Sequence, residues 1–89
     1  MKIKHGFLLR EIAGLFVVVP VGERVVEFNG LMSLSESGAL LWKRLEEETT
    51  DEQDLVHILT SNYEVEDMTA RADVAEFLSH ITEKGLLEV

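Results

Sequence analysis

Leu34-Ser35-Glu36-Ser37-Gly38-Ala39-Leu40-Leu41-Trp42-Lys43-Arg44-Leu45 separates two unlike halves of this sequence. Ser35 is suited to capping a helix, because its hydroxyl can accept a first-turn backbone N–H, and Glu36 then lies near the positive helix end. Small and apolar residues follow at i, i+3, i+4 and i+7: Gly38, Leu41, Trp42 and Leu45. The stretch therefore predicts a helix with one buried stripe, at a junction between strands and helices.

The residues before this helix have the pattern of strands. Phe7–Ile12 predicts a strand, and Ala13-Gly14 a two-residue turn after it. Leu15–Val19 is apolar at every position, which predicts a central strand covered on both sides. Regular pairing is expected to stop at Pro20, which cannot donate to a strand ladder.

A third strand is predicted at Leu31–Leu34. Asn29-Gly30, a strong signal for a tight hairpin turn, separates it from the apolar-rich segment Arg24–Phe28. The sequence leaves open a fourth strand at Val25–Glu27.

Two further helices are predicted after the first. Thr50-Asp51-Glu52-Gln53 fits a capping box that opens the second helix at Thr50. The third is expected from about Asp67 to Lys84, with Gly85 as the left-handed residue that ends it. Buried stripes are predicted at Leu55, Ile58 and Leu59, and at Ala70, Val74, Phe77, Leu78 and Ile81. Asp73, Glu76, His80 and Glu83 are expected on the solvent face of the third helix.

The order of elements predicts the fold class α+β. A small antiparallel β-sheet of three strands is followed by a three-helix bundle like that of winged helix-turn-helix proteins. Residues 1–89 are expected to form a single domain, since a chain of this length holds one small core.

Charge is distributed unevenly along the chain. Residues 1–45 hold four acids and six bases, a net of +2, whereas residues 46–89 hold thirteen acids and two bases, a net of −11. An acidic helical half disfavours nucleic acid as a partner. The sequence has no apolar run long enough to span a membrane and no signal peptide, so no membrane and a cytoplasmic location are expected.

The sequence offers no catalytic residues. Cysteine is absent, which excludes a thiol nucleophile and a thiolate metal site. There is no Gly-rich phosphate loop, metal-binding histidine pair or nucleophile elbow. We therefore expect no enzyme activity, no cofactor and no bound metal, and a binding module is the better class of protein.

Several stretches together resemble the PqqD-like family, whose members act in coenzyme PQQ synthesis or as recognition elements for ribosomally made, modified peptides (RiPPs). The stretches are Ser35–Trp42, Tyr63–Val65, Asp73–Leu78 and Lys84–Leu87. The resemblance covers about Phe7 to Val89. The Ser35-Glu36-Ser37 start and the extra Arg24–Phe28 segment depart from the family pattern.

The resemblance implies a peptide chaperone that is not a catalyst. Such a protein binds the leader segment of a precursor peptide as an added strand and presents it to a modifying enzyme, often of the radical-SAM type. An open sheet edge suits this role, because its unpaired N–H and C=O groups bind an extended peptide by β-augmentation. The implied peptide-binding residues lie on the third strand and the third helix: Leu31, Met32, Ser33, Leu34, Arg71, Val74, Ala75 and Leu78. Arg71 is expected to meet an acidic leader residue.

Two other functions fit the same sequence. The open edge of the sheet could close a homodimer in an adaptor that has no peptide ligand. The other function is that of a regulatory winged-helix protein. The third helix has only one basic residue before Lys84, Arg71, which is few for a helix that would bind DNA.

Overall fold

The computed structural model of this chain describes residues 1–22 and 32–88. Five strands and three helices lie in these two ranges. They are β1 (Lys2–Ile3), β2 (Phe7–Ile12), β3 (Leu15–Pro20), β4 (Met32–Leu34), α1 (Glu36–Glu47), α2 (Glu52–Asn62), α3 (Asp67–Glu83) and β5 (Leu87–Glu88). The α+β class and the order of strands and helices are confirmed. Leu31, the Asn29-Gly30 turn and the fourth strand at Val25–Glu27 lie outside the described residues.

The main sheet is antiparallel, with the strand order β2-β3-β4. Ala13 and Gly14 both have positive φ angles, 52° and 81°, as a type I′ turn between β2 and β3 requires. The strand β3 is central, as predicted, and it extends to Pro20, whose Cα pairs with that of Phe7. A second, two-stranded sheet joins β1 to β5 and so holds the two ends of the described chain together.

The two faces of the main sheet differ in burial. Val18 on β3 is fully buried against the helices. The alternate positions point to the other face, where Ile12 is 56% and Leu15 64% exposed. The prediction that β3 is covered on both sides is therefore wrong for Leu15, because the helices of the described chain pack on one face of the sheet.

Helix α1 forms the centre of the core. Ser35 caps it, its Oγ accepting the Gly38 N–H at 3.1 Å. Trp42 and Leu45 are fully buried, and Gly38 and Leu41 are buried beside them. The predicted stripe is confirmed.

Helix α2 begins one residue later than predicted. Its cap is Asp51, whose carboxylate accepts the Asp54 N–H at 2.8 Å. Thr50 is instead buried, with its hydroxyl donating to the Glu48 carbonyl and its N–H to the Met1 carbonyl. An aspartate next to a threonine offers two possible caps, and burial selects between them.

Helix α3 ends in a Schellman motif. Gly85 has a φ of 77°, its N–H donates to Thr82, and the Leu86 N–H donates to Ile81 at 2.9 Å. The fully buried Leu86 then directs the chain into β5. The predicted glycine cap is confirmed, whereas the sequence gives no sign of the partner strand β1.

Candidate functional site

One margin of the main sheet lies beside α3. Strand β4 is the last in the order β2-β3-β4, so its far edge has no partner strand among the described residues. An open edge presents backbone N–H and C=O groups to any chain that can pair with it.

The register shows which residue of β4 presents those groups. Ile12 and Leu15 flank a two-residue turn, so their backbone groups hydrogen-bond to each other. Because the direction of these groups alternates along a strand, the N–H and C=O groups of Phe16 and Val18 point away from β2, toward β4. Phe16 pairs with Leu34 and Val18 with Met32. The N–H and C=O of Ser33 consequently point away from β3, toward the open edge.

A groove of about 240 Å³ separates this edge from α3. Ser33 and Leu34 form its strand wall, and the start of α1 contributes to its floor. The helix wall consists of Asp73, Glu76, Phe77 and His80.

A more apolar depression of about 280 Å³ adjoins the groove at the start of α1. It is lined by Leu59, Tyr63 and Val65, and it shares Ser35 and Asp73 with the groove. Tyr63 and Val65 are partly buried and pack against the core. The two depressions are therefore neighbours, since they also share Ser37 and Leu59.

Gly38 lies at the floor of the groove. A Cβ added there would lie 3.3 Å from Ser35 Oγ and 3.6 Å from Leu34 Cβ. The reason for a glycine in the first turn is thus the strand-to-helix corner of the chain itself.

The residues predicted for binding lie in different places around α3. Ser33 and Leu34 line the groove, but Met32 is buried beneath the sheet. Val74 is fully buried in the core. Arg71 hydrogen-bonds to Asp67 and, at 3.2 Å, to Gln53 on α2.

The remaining two helix residues share the flank of Arg71. Because successive turns bring i, i+4 and i+7 together, Arg71, Ala75 and Leu78 form one row. The groove is lined by the row Asp73, Glu76 and His80, on the other side of the buried stripe. The sequence pattern places those three on the solvent face, and all three are exposed. Hydrophobic periodicity identifies the stripe, but it gives no indication of which flank lies beside β4.

Another depression and another strand edge lie away from this groove. The depression, of about 440 Å³, lies between the β1–β2 connection and the end of α1. It includes Glu46, whose pKa is raised by burial. The outer edge of β2 also has no partner among the described strands. Arg10 and Glu11 lie near the end of β2, however, and charged side chains protect an edge from pairing.

Among the described residues, two kinds of feature are absent: a cluster of metal ligands and a helix that could span a membrane. Residues 1–22 and 32–88 contain no group of three His, Asp or Glu side chains that could hold a metal ion. None of the helices in these ranges combines the length and the apolar character needed to cross a membrane.

Comparisons with solved structures find matches to the whole fold. TbiB1, solved in complex with the TbiA(beta) leader peptide, is 25% identical, has a TM-score of 0.77, and is matched over 99% of this chain and 95% of that chain. A lasso peptide synthetase B1, solved with a leader peptide, is 24% identical with a TM-score of 0.72, over 96% of this chain and 93% of that chain.

Sequence comparison identifies the family. No curated protein sequence matches this chain. The family model for coenzyme PQQ synthesis protein D (PqqD) matches residues 16–87, which run from β3 to β5 and include the groove. This chain therefore belongs to the PqqD family.

Proposed function

We propose that this chain binds the leader segment of a ribosomally made precursor peptide in the groove between β4 and α3 and presents it to a modifying enzyme. The observation that carries the proposal is the open edge at Ser33 facing a groove. Membership of the PqqD family supports it, as does the similarity to TbiB1, which was solved with a leader peptide. The lasso peptide synthetase B1 shares the fold.

The backbone of Ser33 is the expected anchor of the complex. A peptide strand laid against β4 would accept the Ser33 N–H and donate to the Ser33 C=O, which is one pair of sheet hydrogen bonds. Each such bond adds a net stabilisation of about 1 kcal/mol. Two bonds alone give weak binding, so side-chain contacts along the groove must supply most of the affinity and the specificity.

The modifying enzyme supplies the chemistry in this proposal. The chain itself acts as a partner that is not a catalyst and needs no cofactor, and a radical-SAM enzyme is the proposed partner type. A bound leader places the rest of the precursor near the enzyme, which raises its local concentration.

The residues proposed from the sequence stay part of the proposal, those of the third strand mainly through their backbone. They are Leu31, Met32, Ser33, Leu34, Arg71, Val74, Ala75 and Leu78. The position of Ser33 and Leu34 on the groove wall supports those two. Met32 and Val74 are both buried and neither lines the groove, which favours support of the strand and the helix over direct contact with the peptide.

A peptide array tests the proposal even though the ligand is unidentified. The probes are 20-residue peptides that tile the N-terminal segments of all short open reading frames of the source organism. We expect the wild-type chain to bind a small set of them. Ser33→Pro should weaken that binding by at least about fivefold, because proline removes the outward N–H, and Ser33→Ala should leave it within about twofold.

The controls separate lost binding from lost folding. Circular dichroism and a thermal melt should show Ser33→Pro folded, since the Ser33 N–H does not bond to β3. If this variant does not fold, methylation of single backbone nitrogens of a bound peptide gives the same test, and at least one position should lose binding. A wild-type chain that binds no array peptide, or binding that survives every such change, would contradict the proposal.

A homodimer joined through β4 is the second candidate, because an open edge can pair equally well with a second copy. Light scattering after size-exclusion chromatography distinguishes the two. The peptide-binding function predicts a monomer with and without peptide, whereas the adaptor predicts a dimer that Ser33→Pro dissociates.

A further inference from the structure

The helix wall of the groove is acidic. Asp73 and Glu76 are three residues apart on α3, so they lie on one side of the helix, and both are exposed beside the groove. The strand wall opposite them, Ser33 and Leu34, carries no charge.

Neither carboxylate is neutralised within the described chain. Within residues 1–22 and 32–88, Arg44 pairs with Glu48 and Arg71 with Asp67, and neither Asp73 nor Glu76 has a lysine or arginine partner there. Arg71, the base nearest in sequence, lies on the other flank of α3 and also bonds to Gln53. The surroundings add to the negative potential, because residues 46–89 have a net charge of −11.

We infer that the leader peptide presents a basic side chain, lysine or arginine, to Asp73 and Glu76 when it lies against β4. This inference rests on the proposed function and specifies the chemistry of its ligand. One long cationic side chain can reach both carboxylates, which are about one helical turn apart. It also reverses the charge expected from Arg71, which would select an acidic leader residue.

Charge complementarity here gives specificity more than affinity. Ion pairs at a partly exposed site are weak and are screened by salt. Loss of the ion pairs with both Asp73 and Glu76 should therefore weaken peptide binding by about tenfold at low ionic strength and less at high salt. An acidic peptide would be repelled by the same wall.

The test uses the same peptide array with two matched double variants. Asp73→Lys/Glu76→Lys reverses the groove wall. Glu11→Lys/Glu47→Lys changes the net charge equally at exposed positions outside the groove. We expect the bound peptides to share a basic residue, the groove variant to lose about tenfold in affinity at low salt, and the control to change less than twofold.

A charge exchange on the peptide completes the test. Replacing the shared lysine or arginine by glutamate should weaken binding to the wild type and restore it to the groove variant. Arg71→Glu reports separately on the other flank of α3. A larger loss in this variant than in the groove variant, with bound peptides that share an acidic residue, would contradict the basic-ligand inference.

Failure of this inference is distinguishable from failure of the proposed function. Peptides that bind at Ser33 but share no base, or that bind the groove variant as tightly as the wild type, would overturn the basic-ligand inference alone. A wild-type chain that binds no peptide at all would overturn both.

Discussion

At the scale of single residues, Asp51 shows how a cap is selected. Thr50 and Asp51 both have side chains that could cap α2. Thr50 is buried, and Asp51 is the residue that forms the cap. We predict that Asp51→Ala lowers the free energy of unfolding by about 1 kcal/mol, because the Asp54 N–H loses its acceptor. For a domain of this size that is a fall of about 4–8 °C in Tm.

Glu52→Ala is the matched control for that prediction. It removes an acid from the same helix end without removing the cap, so a fall of less than half as much is expected in the same thermal melt. Equal falls would mean that the charge near the helix end matters and the hydrogen bond does not.

Gly85 provides a second prediction at this scale. Its φ of 77° is costly for residues with a Cβ, although asparagine tolerates it better than alanine. We expect Gly85→Ala to lower the unfolding free energy by about 1 kcal/mol and Gly85→Asn by clearly less, as measured by urea denaturation. Equal losses in the two variants would contradict the left-handed cap.

Single residues also mark where sequence reasoning stops. The caps, the Ala13-Gly14 turn and the buried stripes depend on local spacing, and the sequence predicts most of them. The flank of α3 that faces β4 depends on how two distant elements pack. The sequence therefore indicates Arg71 for binding and Asp73 for the solvent face, yet it is Asp73 that lines the groove.

At the scale of elements, β3 is predicted to be covered on both sides and is covered on one. An uninterrupted apolar run does not reveal this, because Leu15 and Val18 look alike in sequence although one is 64% exposed and the other fully buried. The exposed apolar positions Leu8, Ile12 and Leu15 belong to the outer face.

A matched pair of substitutions tests the orientation of β3. Val→Thr replaces a methyl group with a hydroxyl at nearly constant volume. At the fully buried Val18 it should cost about 1–3 kcal/mol, because the hydroxyl is desolvated. At the half-buried Val17 it should cost less than about 0.5 kcal/mol.

Denaturation of the two variants measures both costs. A larger loss at Val17 would mean that the strand is turned over by one residue, which would exchange its two faces.

At the scale of the whole molecule, the charge asymmetry follows the division between sheet and helices. The acidic excess lies on the helical half, and part of it lines the groove. Fold class, family and the general position of the groove are predictable, because they depend on the order of elements and on motifs along the whole chain. The sign of the charge in the groove is not predictable from the sequence, since it depends on which flank of α3 faces β4.

Protection of backbone amides from hydrogen exchange, measured by NMR with and without an array-selected peptide, tests the central claim most directly. Met32 and Leu34 donate to β3 in the free protein, whereas the Ser33 N–H points to the open edge. The claim predicts that the peptide slows exchange of the Ser33 amide at least about tenfold and leaves Met32 and Leu34 nearly unchanged. Unchanged exchange at Ser33, with new protection confined to the Arg71 flank of α3, would contradict it.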